Sequence, residues 1–200
     1  MNDCLMVGKP NVGKTLFLLN FAEFLGVKIG EITKENPDGS LESKIYRLEQ
    51  AKATLVGSEP HTTRGLLSLT VGLPMGKGKT RLTLVDSTGL TDSIHTVAEV
   101  RRAMVQTLRR LRKADLILHL LDAAEIGESP AALAEIDRQI ARYASSRCPY
   151  AILPNKMDLP AAMAGLRSIK EAFPNQNILP VSALQRTGFR EVKAFVSKNL

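Results

Sequence analysis

Four short patterns in this sequence carry side chains whose types and spacing suit phosphate, metal and base chemistry. The first is Gly8-Lys9-Pro10-Asn11-Val12-Gly13-Lys14-Thr15, a gapless match to G-x-x-x-x-G-K-[ST]. Its glycines let the backbone close around a polyphosphate, with successive N–H groups facing the oxygens. A helix starting near Lys14 adds the positive end of its dipole. Lys14 then reaches the β- and γ-phosphates, and the Thr15 hydroxyl can ligate Mg²⁺. The second pattern, Asp86-Ser87-Thr88-Gly89, ends the apolar run LTLV. Asp86 can hold Mg²⁺ through water, and the Gly89 N–H can meet a γ-phosphate.

The third pattern, Asn155-Lys156-Met157-Asp158, follows YAILP. A carboxylate there can accept from N1–H and the 2-amino group of guanine. Adenine offers neither donor in that arrangement, and an unpaired carboxylate would reject it. The fourth, Ser182-Ala183-Leu184, can support the base edge through the Ala183 N–H. Each tetrapeptide is common alone. Their order, each at the C-terminal end of an expected strand, is where open α/β sheets place ligands.

Those strands alternate with amphipathic stretches. Apolar runs at 4–7, 66–71, 81–85, 116–121, 150–154 and 178–182 read as strands. Residues 15–25, 95–113, 130–145, 160–173 and 189–198 read as helices, the third with its proline in the first turn. The strands at 66–71 and 81–85 are joined by the turn MGKGK and are expected to pair antiparallel. Strand and helix in alternation predict an α/β fold, a mostly parallel sheet with helices on both faces. Residues 27–59 break this rhythm. They contain the turn Pro37-Asp38-Gly39, and a helix is expected over 40–53 with Leu41, Ile45 and Leu48 on one face. With too few residues for its own core, this stretch reads as an excursion of one domain spanning 1–200.

Composition agrees with a globular chain. Of 200 residues, 44% are hydrophobic and 24% charged, which excludes a mostly disordered protein. The two cysteines, Cys4 and Cys148, form no C-x-x-C pair, so neither a disulfide scaffold nor a zinc site is indicated. No apolar run approaches the roughly 20 residues of a membrane span. The start MNDCLMVGKP lacks a basic segment followed by an apolar one, so no secretory signal and a cytoplasmic location are expected.

The motifs GKPNVGKT, HTTRG, VDSTGL, NKMD and VSALQRTGF together resemble the G domain of translation-factor-type GTPases, nearest the Era and TrmE-like group. The resemblance runs from Cys4 to Leu200. It implies a P-loop NTPase G domain: a three-layer sandwich whose six-stranded, mostly parallel sheet has one antiparallel edge strand. It implies GTP and GDP as ligands and two nucleotide-sensitive segments. The sequence departs from the group in Thr15, where serine is usual, and in the long excursion before HTTRG. A stand-alone G domain, without the KH domain of Era or the extra domains of TrmE, is the expectation.

By the same resemblance, Thr63 of His61-Thr62-Thr63-Arg64-Gly65 is the second hydroxyl on Mg²⁺, beside Thr15 and Asp86. Position 90 is Leu90, where Ras-like GTPases carry a glutamine that orients water. A leucine cannot do this. Relatives with a hydrophobic residue there use other means, one of them a K⁺ ion beside the phosphates held partly by the loop asparagine; Asn11 occupies that place and reads either as such an ion ligand or as a loop-stabilising side chain. The residues expected to act in hydrolysis are therefore Lys14, Thr63, Gly89 and Asn11.

The chain carries 27 basic and 20 acidic residues, net +7. Residues 101–113 (RRAMVQTLRRLRK) hold six basic residues and no acidic one. On a helix Val97, Val100, Met104, Leu108 and Leu111 share one face, with Arg102, Arg109 and Lys113 opposite. That strip is either a solvated polar face or a docking strip for RNA or another acidic surface. His119, inside LILHLL, reads as a satisfied core histidine. The expected function is a GTP-hydrolysing switch in an RNA- or ribosome-related process. The alternative is a nucleotide-gated module docking a protein effector, of the metal-uptake or cofactor-maturation type.

Overall fold

A computed structural model describes residues 2–56, 65–75, 78–91 and 98–200. Strand β1 (Asn2–Val7) leads through the phosphate-type loop into α1 (Lys14–Phe24). Then come β2 (Ile29–Glu35), β3 (Leu41–Arg47) and α2 (Leu48–Leu55). The hairpin β4 (Leu66–Met75) and β5 (Gly78–Asp86) follows, and then α3 (Ala98–Leu111). The rest alternates: β6 (Leu116–Asp122), α4 (Ala123–Glu128), α5 (Glu135–Ser145), β7 (Tyr150–Asn155), α6 (Ala162–Ala172), β8 (Asn177–Ile178) and α7 (Phe189–Lys198).

The strands form one mixed sheet in the order β3-β2-β4-β5-β1-β6-β7-β8. β5, β1, β6, β7 and β8 run parallel, and β4 is antiparallel to β5. The α/β class and the antiparallel β4–β5 pair agree with the sequence. The six-stranded sheet does not: among the described residues there are eight strands, and β4 is interior because β2 pairs on its other side from Ile32↔Leu69 to Glu35↔Leu66. The edges are β3 and β8.

The two added strands come from the excursion, where the expected helix over 40–53 is only partly present. Its first half is β3, paired with β2 in full register from Ile29↔Arg47 to Glu35↔Leu41. Leu41 and Ile45, four apart, share a face in a helix and equally in a strand, so their spacing does not decide between the two. The turn decides. Asp38 Oδ1 accepts from Ser40 N at 2.9 Å and Ser40 Oγ at 2.7 Å, and Asn36 N donates to Ser40 O at 2.9 Å. That Asx-type turn returns the chain as a hairpin. Leu48 and Ala51 of α2 are fully buried, whereas Leu41 and Ile45 are 67% and 71% exposed.

Smaller differences follow local chemistry. The expected helix over 130–145 is a 3-10 turn (Pro130–Ala132) followed by α5, and α4 precedes it. The Asp122 carboxylate starts α4 by accepting from Ala124 N and Glu125 N, both at 3.1 Å. In α3 the buried residues include Ala103, Thr107 and Leu111, and Leu108 is 46% exposed rather than packed. Of the strand expected over 178–182, the regular ladder with β7 takes in Asn177 and Ile178, and Leu179 N and Val181 N carry the pairing on by donating to Ile152 O at 2.9 Å and Pro154 O at 2.8 Å.

The sheet carries a core on each face. On one, Cys4 and Met6 of β1 pack with Phe17, Phe21, Phe189 and Val192. Phe17 and Phe189 meet edge to face at 5.1 Å, joining α1 to α7. On the other, Leu5 and Val7 pack with Leu90, Leu111, Ile140 and Ile169. Consecutive β1 residues thus alternate between two apolar layers, which explains why its sequence is an unbroken apolar run. His119 is fully buried in the second layer. Its Nδ1 lies 2.8 Å from Tyr150 Oη and its Nε2 3.2 Å from Asp137 Oδ1, so it is the satisfied core histidine expected. Both cysteines are free thiols.

Candidate nucleotide-binding site

The loop 8–13 turns from β1 into α1 through three positive-φ residues, Gly8 (φ 143°), Asn11 (φ 61°) and Gly13 (φ 94°). At Gly13 glycine is required twice over. Its φ is positive, and a Cβ would stand 2.4 Å from Asn155 Nδ2. Gly89 is constrained from outside: a Cβ there would lie 2.4 Å from Pro10 N. The Asp86–Gly89 segment therefore presses directly on the phosphate-type loop. Leu90 N donates to Gly8 O at 3.2 Å and locks the two together.

Lys14 Nζ donates to Lys9 O at 2.7 Å and Gly8 O at 3.2 Å, so the ammonium sits inside its own loop. Burial pushes its pKa down to about 8, against the nearby Asp86 and Asp137 carboxylates, which raise it. Asp86 is fully buried, and burial pushes its carboxyl up to about 6, opposed by the Lys14 charge and the Thr15 hydrogen bond. Thr15 Oγ1 donates to Asp86 Oδ2 at 2.5 Å. Asp86 Oδ1 is buried with no hydrogen-bond partner among the described residues. A buried carboxylate oxygen without a donor, next to a threonine hydroxyl, is a donor set that suits a hard divalent cation. Thr63, the other expected ligand, lies outside the described residues, as do Thr62 and the rest of 57–64.

The base-side residues converge on the same end of the sheet. Asn155 Nδ2 donates to Val12 O and its Oδ1 accepts from Ala183 N, both at 2.8 Å. Ser182 Oγ donates to Asp158 Oδ1 at 2.5 Å and accepts from Gln185 N at 3.0 Å. The three loops after β1, β7 and β8 are thus tied into one rim. Leu184 is 67% exposed on it. Lys156, in a left-handed conformation (φ 64°), is 2.5 Å from Asp122 Oδ2. Lys9 Nζ donates to Ala132 O at 2.9 Å.

Sequence reasoning missed two positions. Asp122 both caps α4 and anchors Lys156; its signal was a carboxylate ending the apolar strand LILHLL. Asn20 Nδ2 donates to Ala183 O at 2.7 Å from within α1, and no local pattern marks it. Leu90 is 1% exposed and packed in the second core, so its side chain contributes volume there.

A sequence profile of the family described as 50S ribosome-binding GTPase matches residues 40–156. Among curated proteins, the GTPase Era of Desulfovibrio desulfuricans is 27% identical over 173 residues, covering 82% of this chain and 53% of Era. The tRNA modification GTPase MnmE of Enterococcus faecalis is 28% identical over 195 residues, covering 96% of this chain and 32% of MnmE. The GTPase Obg of Desulfatibacillum aliphaticivorans is 28% identical over 160 residues, 78% of this chain and 46% of Obg. The chain thus spans between about a third and about half of the length of these relatives. Among solved structures, Aquifex aeolicus Era bound to GDP and AlF4⁻ superimposes with a TM-score of 0.70 at 21% identity, covering 99% of this chain and 56% of that one. Era in complex with MgGDPNP and a segment of 16S ribosomal RNA gives 0.69 at 22% identity, covering 100% and 56%. At those identities the structures speak for a shared fold.

Proposed function

The chain belongs to the 50S ribosome-binding GTPase family, and from that premise we propose that it is a G domain that binds GTP and Mg²⁺ and hydrolyses GTP to GDP and phosphate. In this reading it is a cytoplasmic molecular switch in an RNA- or ribosome-related process. The observation that carries it is the pair of Asn155 hydrogen bonds, to Val12 O and from Ala183 N, which tie the loops after β1, β7 and β8 together and support reading them as one nucleotide cradle. No helix among the described residues is long and apolar enough to cross a membrane.

The residues divide the work by chemistry. The N–H groups of Gly8, Lys9, Pro10's neighbour Asn11, Val12 and Gly13 surround the polyphosphate; Pro10 has no N–H and only shapes the turn. Lys14 leaves the carbonyls of Gly8 and Lys9 and sets its charge against the β- and γ-phosphates. Thr15, Asp86 and Thr63 would hold Mg²⁺, which would offset the charge that develops on the phosphate oxygens. Gly89 offers its N–H to the γ-phosphate. Asp158, oriented by Ser182, accepts from guanine; Asn155 and Lys156 hold that loop, and Ala183 and Leu184 flank the base.

Nothing at position 90 reaches an attacking water, because Leu90 is in the core. Asn11, which is exposed in the loop, would help hold a K⁺ ion, and such an ion would supply positive charge beside the phosphates during hydrolysis. The test of the whole reading is a direct one: measure GTP and ATP binding with and without Mg²⁺, and phosphate release in K⁺ buffer. Mg²⁺-dependent binding of GTP over ATP, with turnover, is expected; equal affinity for the two nucleotides overturns it.

A second reading, a nucleotide-gated module docking a protein effector, is favoured by one observation. The excursion presents Ile29, Leu41 and Ile45 to solvent at 59%, 67% and 71% exposure.

A further inference from the structure

The turn between β2 and β3 stands against α3 and leaves a cleft of about 350 Å³ between them. Gln106 Nε2 donates to Glu35 O and Asn36 O, both at 3.2 Å, and so sets the width. Arg102, Gln106 and Arg109 occupy i, i+4 and i+7 of α3 and form one ridge; Lys113 continues it past the last turn. Arg102 and Arg109 stand about 10 Å apart along the axis at 1.5 Å per residue. Arg102, Arg109 and Lys113 are exposed and make no ion pair among the described residues. Arg110, deeper, is bound to Asp3 Oδ2 at 2.8 Å, and its Nε is buried without a partner among the described residues. None of this belongs to the nucleotide site.

We propose that this cleft binds the phosphate backbone of an RNA duplex, an inference that rests on the RNA-related reading above. Three features select that occupant. Arginine supplies two of the three exposed cations, and its planar fork matches phosphate oxygens. Among the described residues no aromatic side chain lines the cleft, so they offer no platform for unstacked bases, and a paired helix read by its backbone fits better than a single strand. Among the described residues apolar lining is confined to Pro37 and Leu66, the latter 3% exposed, so they offer a protein partner no anchor pocket. Glu35 and Asp38 line the turn side and repel phosphate there, which places the strand along the α3 ridge. On the opposite, buried side of α3, Thr107 Oγ1 donates to Ala103 O at 3.1 Å and lies 3.4 Å from Thr88 O, so the helix that carries the ridge packs beside the Asp86–Gly89 segment.

The test compares wild type with two charge-reversed triples: R102E/R109E/K113E in the cleft, and R190E/K193E/K198E on α7. The two change net charge equally, and GDP affinity, expected unchanged in both, reports the fold. The probes are a short RNA hairpin duplex, titrated across KCl concentrations, and polyglutamate. Wild type should bind the duplex with an affinity that falls with salt. The cleft triple should weaken it about thirtyfold or more at low salt and lower the log–log salt slope by about 2 to 3, with the α7 triple changing it less than about threefold. Equal weakening by both triples overturns the cleft, since net charge alone would then suffice. Polyglutamate binding through the cleft without RNA binding replaces RNA by an acidic protein. If wild type binds no RNA, the RNA-related reading falls as well; if it binds RNA and the cleft triple is silent, only the surface assignment falls.

Discussion

Asn155, at the end of β7, donates to the carbonyl of Val12 in the phosphate-type loop at 2.8 Å, across 143 positions of sequence. The same side chain accepts from Ala183 N, so one buried amide joins three loops. Its role in this structure is a brace. It holds the positions of the residues proposed to contact a nucleotide.

Replacing the brace should therefore loosen the whole rim. Asn155→Ala removes both hydrogen bonds and leaves Val12 O and Ala183 N buried without partners, at a cost of about 1–3 kcal/mol. Thermal unfolding should show a lower Tm, and calorimetry should show GTP and GDP weakened to a similar degree. A variant with native Tm but weakened binding would mean that Asn155 acts on the nucleotide alone.

Base selection should respond differently. Asp158→Asn is expected to weaken GTP at least about a hundredfold and to shift preference to xanthine nucleotides, whose 2-oxo group accepts from the new amide. Ser182→Ala, which removes the donor to Asp158 Oδ1, should produce a milder loss of guanine preference with little effect on phosphate affinity. Competition between GTP, XTP and ATP for a fluorescent nucleotide reads both; unchanged GTP affinity in Asp158→Asn rules out this base contact.

The nucleotide-free protein should carry a pH signature of Asp86. Burial raises its folded carboxyl from 3.8 to about 6, so the folded state holds this proton more tightly than the unfolded one. The stabilisation from the bound proton is complete below about pH 4 and is lost as pH rises through 6. Asp86→Asn does not lose it. The difference in stability between Asp86→Asn and wild type, without nucleotide, should then open in favour of the variant between pH 4 and 6 and stay level to pH 7. It should reach about 1–3 kcal/mol, with the lost Lys14 pairing setting the lower end. The same variant should lose Mg²⁺-dependent nucleotide binding. Tm measured across that pH range checks the sign; a gap independent of pH would remove the buried carboxylate as its cause.

Turnover should depend on the monovalent cation. With Leu90 in the core, hydrolysis in Na⁺ is expected to be slow and K⁺ to speed it about tenfold or more. Asn11→Ala should abolish that gain and keep GDP affinity, since the loop N–H groups remain. The measurement is kcat in matched KCl and NaCl; equal wild-type rates would point to an activating partner instead.

What the sequence determined by itself was local. GKPNVGKT, DSTG and NKMD are contiguous, and each dictates the backbone and functional groups of a single turn at a strand end, so their chemistry is legible without a structure. The β1 run CLMV likewise announces a strand buried on both faces. Tertiary structure alone decided the rest, because it depends on which distant segments meet. Leu41 and Ile45 fit helix and strand equally, and only pairing with β2 and the Asp38–Ser40 turn made that segment a strand and β4 an interior one. The α3 periodicity placed Leu108 in the core, but the buried face runs through Ala103 and Thr107, and Gln106 of the same helix is tied to the β2–β3 turn by its hydrogen bonds to Glu35 O and Asn36 O. The Asn155 brace, the Asp122–Lys156 pair and the Asn20 contact to Ala183 join residues far apart in sequence. A residue's type states which bonds it can make; only the packed chain brings the partner within 3 Å.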